Sequence, residues 1–246
     1  MSGARGGASR RPFYVALALV AVLGFVAISW AMNRSKESGI VTIDPAAAAG
    51  IKAEGQVMGS ASAPVEIIEF ADFECPGCGQ FATVTEPDIR ERLVKTGQAR
   101  FRIYTFQVTS AHQNAVAASL AAECAADQNK FWEMHDAIFV GQPEWSTYAT
   151  SNPKPVFARY GERIGLDMAA WNTCYDERRH VGRVAANAVE AQRLGVGQTP
   201  TIIVGDRKLP GAQPYDVIKA LVDSAAARAG TTAAPAAPAD SGATKR

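Results

Sequence analysis

Apolar and polar positions fall in blocks along the chain, and each block predicts a different element. Residues 13–32 carry no charged side chain, a length that crosses a bilayer as a helix. Residues 33–60 are rich in Ala, Gly and Ser and read as a tether. Residues 65–70 are short, apolar and β-branched after Pro64, the pattern of a mostly buried strand. Pro76 stands at an early helical position, where its missing N–H costs nothing, and opens a helix with Phe81, Val84, Ile89 and Leu93, bent at Pro87. Residues 99–108 read as a second strand, with Phe101, Ile103 and Tyr104 among its apolar members.

The middle third is helical. Ser110 with Gln113 three residues on makes a capping box, and Val116, Leu120 and Cys124 follow on one face. A second helix contains Phe131, Trp132, Ile138 and Phe139. A third begins near Asp167 with Trp171 and Cys174, and a fourth carries Val181, Val184, Ala188 and Leu194 before Gly195. Pro200 then introduces a β-branched strand, Thr201-Ile202-Ile203-Val204. Gly205-Asp206 signals a hairpin, Lys208 and Leu209 begin the return strand, and a closing helix turns Val217, Ile218, Leu221 and Val222 inward. Residues 229–246 are too small and polar to bury much, which predicts a disordered tail. The folded domain is expected over 61–228, with a helical block at 110–195.

Charge and composition narrow the function. Hydrophobic residues make up 48% of the 246, enough for a core, and 25 Lys and Arg against 24 Asp and Glu leave a net charge of +1. A chain so balanced has no overall field to draw in nucleic acid. Arg5, Arg10 and Arg11 precede the apolar run, which places residues 1–12 in the cytoplasm and everything beyond the run outside. Ser29 and Ala31 also fit a signal-peptidase site before Met32. The run is longer than the usual h-region of about 7–15 residues, which favours a retained single-pass anchor. Either way the domain is delivered outside the cytoplasm, to the periplasm or the cell exterior.

That compartment lets disulfides persist. Cys75 and Cys78 would close a very tight ring, a poor staple but an exchangeable bond, which leaves Cys124 and Cys174 for each other. These two are either a structural disulfide, worth about 4 kcal/mol in the chain-entropy account, or two separate buried thiols. A C-x-x-C is also half of a zinc site, but His112, His135 and His180 lie far apart without ligand spacing and read as packing residues. No metal or other cofactor is expected.

Three features together resemble the DsbA-like branch of the thioredoxin superfamily. They are the strand leading through Glu69-Phe70-Ala71-Asp72-Phe73-Glu74 into Cys75-Pro76-Gly77-Cys78, the helical block inserted in mid-fold, and Thr199-Pro200 opening the late strand. The resemblance covers residues 57–226 and implies a thioredoxin-like α/β fold with a large helical insertion. It implies a protein disulfide oxidoreductase, a buried acid at Glu69 near the inner cysteine, and a cis bond between Thr199 and Pro200 beside the cysteines, where substrate would pair. It implies reduced secreted proteins as substrates and a quinone-linked membrane protein that reoxidises the pair. A monomer is expected.

Physical chemistry assigns the two sulfurs. A thiol at the first turn of a helix meets unpaired N–H groups and the positive end of the dipole, so Cys75 is the reactive sulfur and Cys78, one turn in, the resolving one. The Pro76-Gly77 dipeptide tunes their bias. The best-known oxidases of this branch have Pro-His there, so Gly77 brings no imidazole and a milder oxidant is expected. Disulfide reductase or isomerase work on the same fold is the alternative function, and a metal-binding or metallochaperone module is a more distant one.

Overall fold

The structure, a computed structural model, describes residues 11–34, 42–108 and 110–232. The chain divides into two compact units, residues 1–38 and 39–246. In the first, helix α1 spans Arg11–Arg34, and its large apolar side chains from Phe13 to Ile28, where described, are all more than half exposed. Counted over the described residues, no helix is long and apolar enough to cross a membrane. Arg5, Arg10, residues 35–41 of the expected tether and residues 233–246 of the expected tail lie outside the described residues.

In the second unit five described strands form one sheet, ordered β1-β3-β2-β4-β5. They are β1 Gln56–Met58, β2 Val65–Ala71, β3 Ala99–Thr105, β4 Thr201–Val204 and β5 Arg207–Pro210. β2 and β3 run parallel, and the other neighbours are antiparallel. A parallel pair requires a crossover, supplied here by a helical run over residues 76–94, called α2. Two of its turns are π-helical, Phe81–Thr85 and Arg90–Val94. The first lies directly before Pro87, where the Glu86 N–H reaches back to Phe81 O, so the missing proline donor is absorbed by a wider turn.

Between β3 and β4 lie α3 Ala115–Ala126, α4 Phe131–Val140, α5 Gln142–Trp145, α6 Lys154–Arg163, α7 Met168–Asp176 and α8 Val181–Arg193. Helix α9, Tyr215–Thr232, closes the unit. α3 is buried on every side, as its run of alanines allows. Trp145, Phe157, Tyr160 and Trp171 fill the space around it. Cys124 on α3 and Cys174 on α7 are joined by a disulfide, with their Cα atoms 5.8 Å apart.

Four expectations differ from what is seen. The helix expected from Ser110 begins instead at Ala115, because the N–H groups of Gln113 and Asn114 are taken by Thr147 Oγ1 and Glu74 Oε2. Val217 is exposed, while Ile218 and Val222 carry the buried face of α9. The tether is shorter than 33–60. From Asp44, which caps a 3-10 turn at Pro45–Ala48, the chain lies on α8 and then adds β1 to the sheet edge. Gly182 permits that approach, since a Cβ there would meet Ile51 at 2.3 Å, and the Glu54 N–H donates to Asn187 Oδ1. Finally, α6 was not anticipated, although Val156, Phe157, Tyr160 and Gly161 form a helical stripe.

Candidate active site

The site is built on the loop between β2 and α2. Asp72 is fully buried, and its carboxylate accepts from the N–H groups of Glu74 (2.8 Å) and Val108 (2.7 Å) while bonding His112 Nδ1 at 2.8 Å. Glu74 ties the loop to the insertion by accepting from the N–H groups of Asn114 and Thr147. Gln142, at the start of α5, donates to the carbonyls of Phe73 (2.7 Å) and Cys75 (3.0 Å). Gly79 makes room for it, since a Cβ there would lie 2.6 Å from the Gln142 amide oxygen. The loop is therefore clamped by its own acids and by the helical insertion.

On this support Cys75 is the N-cap of α2, with extended backbone, and Pro76 begins the helix. Cys75 Sγ lies half-buried, 3.5 Å from the Thr199 carbonyl oxygen, and the Thr199–Pro200 bond is cis. Gly77 faces the same proline, for a Cβ there would sit 3.3 Å from Pro200 Cδ and 3.7 Å from Cys75 Sγ. Cys78 is fully buried, and its sulfur accepts from the Asp72 N–H at 3.4 Å. Both thiols are free, so the structure describes the reduced pair.

Their environments push the two thiols apart. Hydrogen bonding from Cys78 chiefly, then from the Thr199 side chain and the N–H groups of Cys78 and Gly77, lowers Cys75 from 9.0 to about 5 against the opposing effect of burial. Burial chiefly, with the Cys75 bond and the charge of Glu69, pushes Cys78 well above its ordinary value. Cys75 is thus a thiolate at neutral pH without any imidazole at position 77. Stabilisation comes from its partner sulfur, the helix start and the cis-proline loop.

Of the acids near the motif, Glu69 is the one aimed inward without partners. It is fully buried on β2 between Ile103 and Ile202, and neither carboxylate oxygen has a hydrogen bond. Burial chiefly, then the charge of Glu86, holds its pKa well above 4.5. Glu66 faces the other way and pairs with Arg100 and Arg102.

The fold brings Glu69, Cys75, Pro76, Gly77, Cys78, Thr199 and Pro200 into one place and sets the Cys124–Cys174 disulfide apart, in the insertion. Among the described residues, Cys124, Cys174 and His180 have ligand-type atoms within 4.8 Å of one another. The two sulfurs are spent on each other, and His180 Nε2 bonds Asp127 Oδ1 at 2.9 Å. Sequence reasoning missed His112 and Gln142, which reach the loop from distant segments. Both sit among other polar or turn-forming residues, Ser110, Gln113 and Asn114 around the one and Gly141, Pro143 and Glu144 around the other, so no local signal marks them.

Comparison with known proteins agrees with this geometry. A family model described as Thioredoxin matches residues 52–224. The Na(+)/H(+) antiporter NhaA 3 of Salinispora tropica is 38% identical over 173 residues, 70% of this chain but 25% of that protein. The chain spans about a quarter of that relative, whose antiporter name is said of it alone. Disulfide bond formation protein D of Bacillus subtilis is 25% identical over 171 residues, covering 68% of this chain and 75% of that protein. Two solved structures share the fold. Wolbachia pipientis alpha-DsbA1 aligns with a TM-score of 0.64 at 19% identity, over 73% of this chain and 94% of that one. Oxidised BdbD from Bacillus subtilis aligns at 0.62 and 22% identity, over 72% and 98%. The chain belongs to the thioredoxin family, and its fold is that of the DsbA-like thiol–disulfide oxidoreductases.

Proposed function

We propose that the chain is an extracytoplasmic thiol–disulfide oxidoreductase that oxidises cysteine pairs in secreted proteins. The observation that carries this reading is the split between two neighbouring thiols, Cys75 held near 5 and Cys78 pushed up by burial. A substrate thiolate attacks Cys75 Sγ of the oxidised pair, and the S–S bond breaks toward Cys78. Glu69, kept protonated by its burial, gives its proton to the departing Cys78 sulfur. A second substrate thiolate then attacks the substrate sulfur of the mixed disulfide and expels Cys75, which leaves readily as a stabilised anion. The same stability of the Cys75 thiolate favours the dithiol form and so drives electrons from substrate to enzyme. An extended substrate segment lies along Thr199, whose carbonyl already faces Cys75.

In this reading residues 13–32 anchor the domain to the cell membrane. The support is in the sequence, a charge-free run of the length that crosses a bilayer with arginines before it. A quinone-linked membrane protein, implied by the resemblance, would restore the Cys75–Cys78 disulfide. Equilibration of the protein in glutathione buffers tests the direction of catalysis. A reduction potential near about −120 mV supports the oxidase, and one near about −270 mV makes the chain a thioredoxin-like reductase.

A further inference from the structure

Cys78 and Glu69 are sealed in the core, so a proton that Glu69 gives up must be replaced through protein. A line of buried polar atoms leads outward from it. Both carboxylate oxygens of Glu69, Oε2 of Glu86 and Nε2 of His135 lack hydrogen-bond partners, and all three residues are 0% exposed. Folds rarely leave such atoms unsatisfied, because each one costs stability. Two of these residues, Glu86 and His135, face each other. Glu69 lies within electrostatic reach of Glu86, Glu86 Oε2 is 3.6 Å from His135 Nε2, and His135 Nδ1 is 2.8 Å from Asp136 Oδ1, a side chain that is half exposed.

We propose that Glu86, His135 and Asp136 form a proton conduit joining Glu69 to solvent. The inference rests on the reading of Glu69 as the proton donor to Cys78 and extends it to the surface. When Cys78 leaves as a thiolate, the Glu69 O–H bond breaks and an S–H bond forms. The Glu69 carboxylate is refilled by a proton from Glu86 Oε2. Glu86 takes its proton from His135 Nε2, and His135 regains one at Nδ1 through Asp136 from water. One proton moves inward and no electron moves; reoxidation of the pair runs the line in reverse.

Arg90 keeps the line in register. Its Nε donates to Glu86 Oε1 at 2.7 Å and its two terminal nitrogens to Asp136 at 2.9 and 2.8 Å, which leaves Glu86 Oε2 turned to the imidazole. Rings of Phe73, Phe131, Trp132 and Phe139 surround His135 and keep water from short-circuiting the path. The titratable groups facing His135 are Glu86 and Arg90 from α2 and its neighbour Asp136; those facing Glu69 are Glu86, Arg90, Cys75 and Cys78.

The test is stopped-flow reduction of the oxidised full-length chain by dithiothreitol in detergent micelles, from pH 5 to 9, in H2O and D2O. Glu86→Gln and His135→Gln should slow reduction on the order of tenfold or more and raise the solvent isotope effect. Asp136→Asn, at the half-exposed end, should do so more weakly. Alkylation of Cys75 in the reduced variants needs no proton delivery to Cys78 and should keep its wild-type rate. Unchanged rates and isotope effects in all three variants, beside a slowed Glu69→Gln, would overturn the conduit and leave Glu69 as donor. If Glu69→Gln is also unchanged, the donor role falls with it.

Discussion

Glu69 should cost the fold stability at neutral pH, and Glu69→Gln measures that cost. Gln keeps the shape and leaves a neutral polar group in the same place, so the comparison isolates the charge. In the unfolded chain the carboxyl titrates near 4.5, whereas in the fold burial holds its pKa well above that value. Between the two, the folded state binds the extra proton, so stability falls as pH rises, by up to about 1.4 kcal/mol per pH unit. A buried, unsatisfied polar group costs about 1–3 kcal/mol, and more when charged. Glu69→Gln should therefore match the parent near pH 4 and exceed it by on the order of 1–3 kcal/mol above neutrality. For a unit of this size that is a rise of about 2–4 °C in Tm for each kcal/mol. Urea titrations of both reduced proteins at pH 4, 6 and 8 give the difference directly, because other groups cancel. A gap that stays constant across these pH values, or a variant that loses stability relative to the parent as pH rises, would refute the reasoning.

Two further perturbations separate support from chemistry. Cys124→Ser opens a bridge spanning 50 residues and should remove about 4 kcal/mol of stability in denaturant titration while Cys75 alkylates at its normal rate; comparable loss of thiol reactivity would contradict the division of roles. The Asp72 bond raises the His112 pKa above 6.5, so its stabilising contribution is full below 6.5 and is lost as pH rises through the folded value. His112→Gln should accordingly cost most below pH 6.5 and little at pH 9, read from Tm across that range; a pH-independent loss would mean that packing, not charge, holds the loop.

The redox motif was legible because its parts are close in sequence. Glu69, Cys75 and Cys78 lie within ten residues, and the strand and helix that carry them have clear periods. Which acid faces inward was not legible. Strand alternation fails at the end of β2, where Glu69, Phe70 and Ala71 are buried in succession, and Asp72 and Glu74 are buried too but satisfied by backbone N–H groups. Ser110 and Gln113 had the right spacing for a cap, yet partners 34 to 40 residues away in sequence claimed the N–H groups at 113 and 114. β1 has three residues, too few to show a pattern. The pairing of His135 with Glu86 joins segments nearly fifty residues apart and leaves no trace in local periodicity. Gly77 brings no imidazole, and the hydrogen bonds that lower Cys75 come from Cys78, from backbone N–H groups and from the Thr199 side chain, which the dipeptide does not report.

The most direct measurement is the titration of Cys75 itself, followed by thiolate absorbance and by iodoacetamide alkylation in the reduced protein. The account predicts a midpoint of about 5, with Cys78 still protonated above pH 9. A Cys75 midpoint near 9.0, the value of an ordinary thiol, would contradict it.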